Sequence, residues 1–223
     1  MENLPAQQLS ESNVALISRT ISCSAFWMIT MDRIIRKQGL SVVRMADGEQ
    51  KFMDSYSKFY PDEPLKDVSW ILCQRTYNQL GMTDITAREL RARLVEAVKE
   101  TEYWAPSLSG YYLQDYNIQR WFEHPQIVDN YFANEWSKEK VGQLLERASG
   151  VAFVGRQRPK LGIRHIPMQD WRETERAMAE AKNCSEQLIL VAGGPGGKYI
   201  IPAVAKSSKV VLDVGQTAWR FIQ

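Results

Sequence analysis

Apolar positions recur at helical spacing through residues 12–37, where Val14, Ile17, Ile21, Met28, Met31 and Ile35 form one stripe. Ser12 can cap such a helix and Gly39 lies just past its end. The pattern then changes. Residues 40–46 form a short apolar run that reads as a buried strand. A helix is expected next through Phe52 and Tyr56, and another over residues 68–80, beyond the breaks at Pro61 and Pro64. Over residues 86–100, Leu90, Leu94, Val95 and Val98 make a helical stripe behind the capping-box pattern Thr86-Ala87-Arg88-Glu89. Residues 103–106 read as a further strand. The last third is the most regular. Strands are expected at 150–155, 162–167, 187–192 and 209–214, with helices at 171–182 and 199–205.

Strands that are apolar at every position and alternate with helices imply an α/β fold whose parallel sheet is covered on both faces. Ligands of such sheets bind at the carboxyl ends of the strands. The chain has 223 residues, 44% hydrophobic and 24% charged, enough for one large α/β domain or two small ones. Twenty-eight Lys and Arg against 26 Asp and Glu leave a net charge of +2, which makes no electrostatic case for nucleic acid beyond a local patch. Cys23, Cys73 and Cys184 are few and scattered, without zinc-ligand spacing, and a reducing cytoplasmic compartment is expected. The start Met1-Glu2-Asn3-Leu4-Pro5 lacks the basic and apolar runs of a secretion signal. The apolar patch at residues 25–31 is too short to span a bilayer, so no membrane span is expected.

Candidate chemistry sits at strand ends. After residues 40–46 come Asp47 and Glu49, separated by Gly48. Side chains two apart on extended backbone point the same way, so both carboxylates can face one hard cation, Mg²⁺ or Mn²⁺. Two solvated acids on an ordinary Asp-Gly turn is the other reading. The strand ending Val154-Gly155-Arg156 offers a glycine and a cation. Gly193-Gly194-Pro195-Gly196-Gly197-Lys198 joins a strand to a helix, where glycines let backbone N–H groups approach phosphate and Lys198 adds charge. Neither the Walker A nor the dinucleotide fingerprint spacing is present, and a merely tight turn is the alternative. Val211-Leu212-Asp213-Val214-Gly215 resembles the motif that opens Rossmann methyltransferases, but only eight residues follow it here. The middle of the chain is dense in aromatics: Tyr111, Tyr112, Tyr116, Trp121, Phe122, Tyr131, Phe132 and Trp136. With Arg120 and His124 among them they could stack on sugars or bases, or could pack helices on the sheet. Arg88, Arg91 and Arg93 could bind nucleic acid or form a solvated face.

Taken together these pieces resemble the bacterial GT-D glycosyltransferases. Residues 41–49 are similar to that family's strand followed by Gly-Asp-Gly-Glu, with Ala46 in place of the first glycine. Residues 188–195 are similar to its apolar strand ending in Leu-Gly-Pro, followed here by Gly196-Gly197-Lys198. Residues 211–216 are similar to its Asp-Ile-Gly-His close, with Gln216 where histidine is usual, and Val154-Gly155 matches a further strand end. The resemblance implies a single Rossmann-like domain, with residues 1–39 as an N-terminal helical part and 40–216 as the core. It implies metal-dependent transfer of a sugar from a nucleoside-diphosphate sugar to an acceptor hydroxyl on a glycan, protein or nucleic acid. Asp47 and Glu49 match the metal acids. Arg44 and Gly48 match neighbours of those acids and Gly194 and Pro195 match the second site; with Gly155, Arg156, Gly193, Gly196, Gly197 and Lys198, read from the strand ends, they would hold the nucleotide sugar, and Asp213, near another strand end, is the candidate general base. Two other functions fit the same residues: a nucleic-acid base-modifying transferase on this scaffold, and a non-catalytic sugar-nucleotide binding module.

Overall fold

Eight short strands, rich in Val, Ile and Leu, line up side by side in one direction. The computed structural model describes residues 17–45, 49, 84–106, 124, 126–160, 162–169 and 171–223. Within them lie β1 (Thr20–Ile21), β2 (Leu40–Met45), β3 (Tyr103–Pro106), β4 (Ile127–Val128), β5 (Val151–Gly155), β6 (Ile163–Pro167), β7 (Leu188–Ala192) and β8 (Val210–Asp213). They form one sheet in the order β1-β4-β3-β2-β8-β7-β5-β6, and every neighbouring pair is parallel. Helices among the described residues include α1 (Cys23–Ile35), α2 (Asp84–Glu100), α3 (Phe132–Glu135), α4 (Lys138–Arg147), α5 (Thr174–Asn183), α6 (Gly194–Ala205) and α7 (Trp219–Ile222).

The two-residue period of the strands divides the core in two. Val43, Met45, Ala152, Val154, Ile189, Val191 and Val211 face α2, α5 and α6, through Leu94, Val98, Ala177, Ala181, Ile200, Ile201 and Val204. Their neighbours Leu40, Val42, Val151, Phe153, Leu188, Leu190, Val210 and Leu212 face α1, α3, α4 and α7, through Phe26, Ile34, Phe132, Val141, Leu144, Phe221 and Ile222. Both faces of the sheet are therefore covered, which is why the strands read as unbroken apolar runs. The fold is α/β and Rossmann-like. Among the described residues no helix is long and apolar enough to cross a membrane.

Two expectations are corrected, and one open alternative is decided. The helix expected over residues 12–37 is interrupted by β1, which pairs with β4 (Thr20 with Ile127, Ile21 with Val128). Helix α1 restarts behind Ser22, whose Oγ accepts a hydrogen bond from the Ala25 N–H at 3.3 Å. Its buried side is Phe26, Thr30, Met31 and Ile34, and the expected stripe positions Met28 and Ile35 are exposed. Helix α6 begins at Gly194 and not near 199, because Pro195 is preorganised for a first helical turn. In the aromatic segment, Phe132 and Trp136 are core residues packed around Phe26, whereas Tyr131 is exposed. The helices expected through Phe52 and Tyr56 and over 68–80 lie outside the described residues, as do Asp47 and Gly48.

Candidate active site

A parallel sheet puts all its carboxyl ends on one edge. Here the registers set Val42 beside Leu212, Val191 beside Asp213, and Gly155 beside Ala192. Four of the sequence-predicted residues, Arg44, Glu49, Lys198 and Asp213, meet where β2 and β8 end.

Asp213 closes β8 on the side that faces α6. Its Oδ2 accepts from Lys198 Nζ at 2.7 Å and from the Arg44 backbone N–H at 3.1 Å. The Lys198 ammonium also lies 3.3 Å from Glu49 Oε1. Lys198 and Asp213 are buried, each 4% exposed, and the Glu49 side chain is 12% exposed. Burial pushes the Lys198 pKa down, but the Asp213 and Glu49 carboxylates outweigh it, so the ammonium titrates above its ordinary 10.5. Lys198 is thus a charged, enclosed group between two acids, and not an open cation at the mouth of a phosphate loop.

The side chain of Arg44 alternates to the opposite face of the sheet. Its Nε donates to Asn130 Oδ1 at 2.7 Å, its Nη1 donates to the Val214 carbonyl at 2.9 Å, and the guanidinium lies 5.9 Å from the Phe132 ring centroid. Gly215 makes room for it. The backbone there has φ +46°, and a Cβ would stand 3.3 Å from Arg44 Nη1. Asn130 and the Val214 carbonyl carried no recognisable signal in the sequence. Asn130 follows β4, a strand too short to read from its pattern.

The glycines after β7 divide into two kinds. A Cβ on Gly196 would meet Trp171 Cα and Thr174 Oγ1 at 2.8 Å each, and one on Gly197 would meet Val191 Cγ1 at 2.9 Å. A Cβ on Gly193 would meet Met168 Sδ at 2.8 Å. These three let α6 settle on its neighbours. Gly194 is different: it is exposed, has φ +59°, and nothing within 4 Å would meet its Cβ. It opens the N-terminus of α6, which has no side-chain cap, so the first-turn N–H groups there suit an anion.

The β5 end stands apart from the cluster. The Gly155 carbonyl accepts from the Met168 N–H at 3.2 Å and lies 3.0 Å from His165 Nε2. Arg156 is exposed, and its Nε donates to the Gln169 carbonyl beyond β6, on the far side of β5 from β8. His124 is a buried loop histidine whose ring nitrogens lie against the Gln126 and Thr101 carbonyls. Among the described residues no group of three or more His, Cys, Asp or Glu is placed to hold a metal ion.

Neither a family model nor a curated protein matches this chain. Solved structures do. One is described as the highly conserved domain of unknown function 1792 with a distinct glycosyltransferase fold. It superposes with a TM-score of 0.57 at 15% identity, covering 92% of this chain and 82% of that one. A new glycosyltransferase of the same domain type, from Streptococcus sanguinis, superposes with a TM-score of 0.52 at 17% identity, covering 86% and 80%. At these identities the likeness is one of fold, and this chain shares it.

Proposed function

We propose that this protein is a glycosyltransferase that moves a sugar from a nucleoside-diphosphate sugar to an acceptor hydroxyl with the help of Mn²⁺ or Mg²⁺. The observation that carries the reading is the convergence of Arg44, Glu49, Asp213 and the open α6 N-terminus on the carboxyl edge of a sheet with a glycosyltransferase fold. Sugar transfer from a nucleotide releases a diphosphate, so charge grows on phosphate oxygens, and groups preorganised toward that charge lower the barrier. The first-turn N–H groups at Gly194 supply such donors, and the half-buried Arg44 guanidinium adds a fixed positive charge beside β8.

The donor set suits a hard divalent ion. Glu49 is a carboxylate set close to the carboxyl edge, one of its oxygens lies against Lys198, and Asp47 two residues earlier is of the same oxygen chemistry. These two acids would hold the ion, which when bound acts as a Lewis acid on the diphosphate. Asp213 was the candidate general base. Its Oδ2 is committed to Lys198 and to Arg44, so the role its geometry favours is that of counter-ion to the buried ammonium.

Isothermal titration with UDP-, GDP- and TDP-sugars, each in Mn²⁺ and in EDTA, tests the reading. The expected outcome is binding of one nucleotide class that is at least tenfold tighter with Mn²⁺ and is lost in Asp47→Ala. Equal affinity in Mn²⁺ and EDTA would remove the metal from the proposal, and no binding by any of the three would remove the function.

A further inference from the structure

We propose that Lys198 is a positioning residue: its ammonium, enclosed between Asp213 and Glu49, fixes the Glu49 carboxylate at the edge of the sheet and does not itself carry the diphosphate. The inference rests on the glycosyltransferase reading only for what Glu49 then does; the fixing of Glu49 stands on geometry alone.

Four observations lead to it. Lys198 sits in α6, and the glycines of that helix pack closely on Trp171, Thr174 and Val191, so the place of the ammonium is set by the fold. Its closest partner is Asp213 at 2.7 Å, a residue pinned in turn by the Arg44 backbone N–H. Its second partner is Glu49 at 3.3 Å, and both side chains of that pair are largely buried, 5% and 12% exposed. Finally, an ammonium flanked by two carboxylates belongs to a trio that is net negative. Such a trio does not attract a diphosphate, whereas it does hold an acid in one orientation. Held by one oxygen, Glu49 keeps the other for a cation or a sugar hydroxyl. A sequence reading of Gly-Gly-Lys as phosphate machinery and this geometry therefore assign the same lysine to different partners.

The test compares wild type, Glu49→Gln, Lys198→Met and the double variant by two readouts: thermal unfolding without ligand, and titration with UDP and with uridine in Mn²⁺. If Lys198 acts through Glu49, the two substitutions are strongly non-additive in unfolding, as residues in direct contact are. Lys198→Met should then weaken UDP about tenfold or more, and should weaken it less than about twofold when Glu49→Gln is already present, because a positioning effect vanishes with the residue positioned. A loss of UDP over uridine that is equally large in both backgrounds means that Lys198 touches the diphosphate and overturns the proposal, as does wild-type affinity in Lys198→Met. If wild type binds no nucleotide, the glycosyltransferase reading falls separately, and additive melting temperatures would still overturn the positioning of Glu49 while coupled ones uphold it. Should Lys198→Met fail to fold, Lys198→Met with Asp213→Asn removes the ammonium without stranding a buried carboxylate and keeps an acceptor for the Arg44 N–H.

Discussion

Two places on the same sheet edge carry nearly the same residues and are built differently. Where β2 and β8 end, an arginine, a glycine and an acid form a bonded, largely enclosed network: Arg44 is bonded to Asn130 and Val214, Gly215 makes room for it, and Asp213 holds Lys198. Where β5 and β6 end, a glycine and an arginine again follow an apolar strand, but Arg156 is exposed and held by one carbonyl. The difference comes from position in the sheet. β2 and β8 are the two middle strands of the eight, three strands or more in from either edge, whereas β5, which leads into Arg156, has only the edge strand β6 beyond it. A strand-end charge at the centre has protein around it and must be paired, because an unpaired buried charge costs far more than a solvated one. At the margin the same charge is left to water. Strand, glycine and cation in sequence do not tell these two cases apart.

The sharpest way to break this comparison is to strand the buried ammonium. Asp213→Ala removes the 2.7 Å partner of Lys198 and the acceptor of the Arg44 N–H, leaving only Glu49. Removing one member of a buried pair costs about 3–5 kcal/mol, and the remaining acid puts the expected loss at the lower end. Urea unfolding should show it as a drop in midpoint at unchanged slope. A loss below about 0.5 kcal/mol, the range of an exposed surface change, would show that the β2–β8 end is as solvated as the β5–β6 end. The raised pKa of Lys198 gives a companion effect with a fixed sign. The proton is bound more tightly in the folded state, so this contribution is fully present below pH 10.5 and is lost as pH rises through the higher folded value. Wild type should therefore lose stability above that pH more steeply than Lys198→Met does.

The glycines that join the two regions come next. Gly196 packs on Trp171 and Thr174, which follow β6, while its helix follows β7. Gly196→Ala places a methyl 2.8 Å from backbone and should cost about 1–3 kcal/mol by overpacking. Gly194→Ala meets no atom, yet carries a left-handed backbone into a residue that disfavours it, for about 1 kcal/mol. Both are read by thermal unfolding. The reverse order would mean that Gly196 is not a packing residue and is free to serve a ligand.

These contrasts also explain what the sequence could and could not disclose. β5, β7 and β8 were legible because burial on both faces makes nearly all of their positions apolar, a signal carried by the strand itself. β1 and β4 were not, since two residues hold no pattern and exist as strands only through each other; Ile21 fell in with a helical stripe instead. The start of α6 was hidden for a related reason, because Gly-Gly-Pro-Gly-Gly reads as a turn until Trp171 and Val191 are seen against it. In the site, Asp213 stood out as a polar residue near a strand end, and Arg44 was reached through the family resemblance of residues 41–49. That Lys198 would face acids and not phosphate depended on distances across three segments, which no spacing encodes.

The smallest expected effect separates the two regions most directly, through their arginines. Arg44→Lys keeps the charge but cannot reach Asn130 and Val214 in two directions at once, since an ammonium on a flexible stem lacks the planar fork. Losing one such bond costs about 0.5–1.5 kcal/mol, and UDP binding should weaken with it if Arg44 helps hold the diphosphate. Arg156→Ala removes an exposed side chain whose Nε bonds a carbonyl beyond β6. Its expected cost lies within about 0.5 kcal/mol, and UDP affinity should not change, because the side chain turns away from β8. Parallel unfolding and UDP titrations of the two variants decide the matter. Should Arg156→Ala weaken UDP as much as Arg44→Lys does, the donor site extends along the edge to β5, as the bare sequence reading expected, and the division between a paired centre and a solvated margin would have no functional meaning.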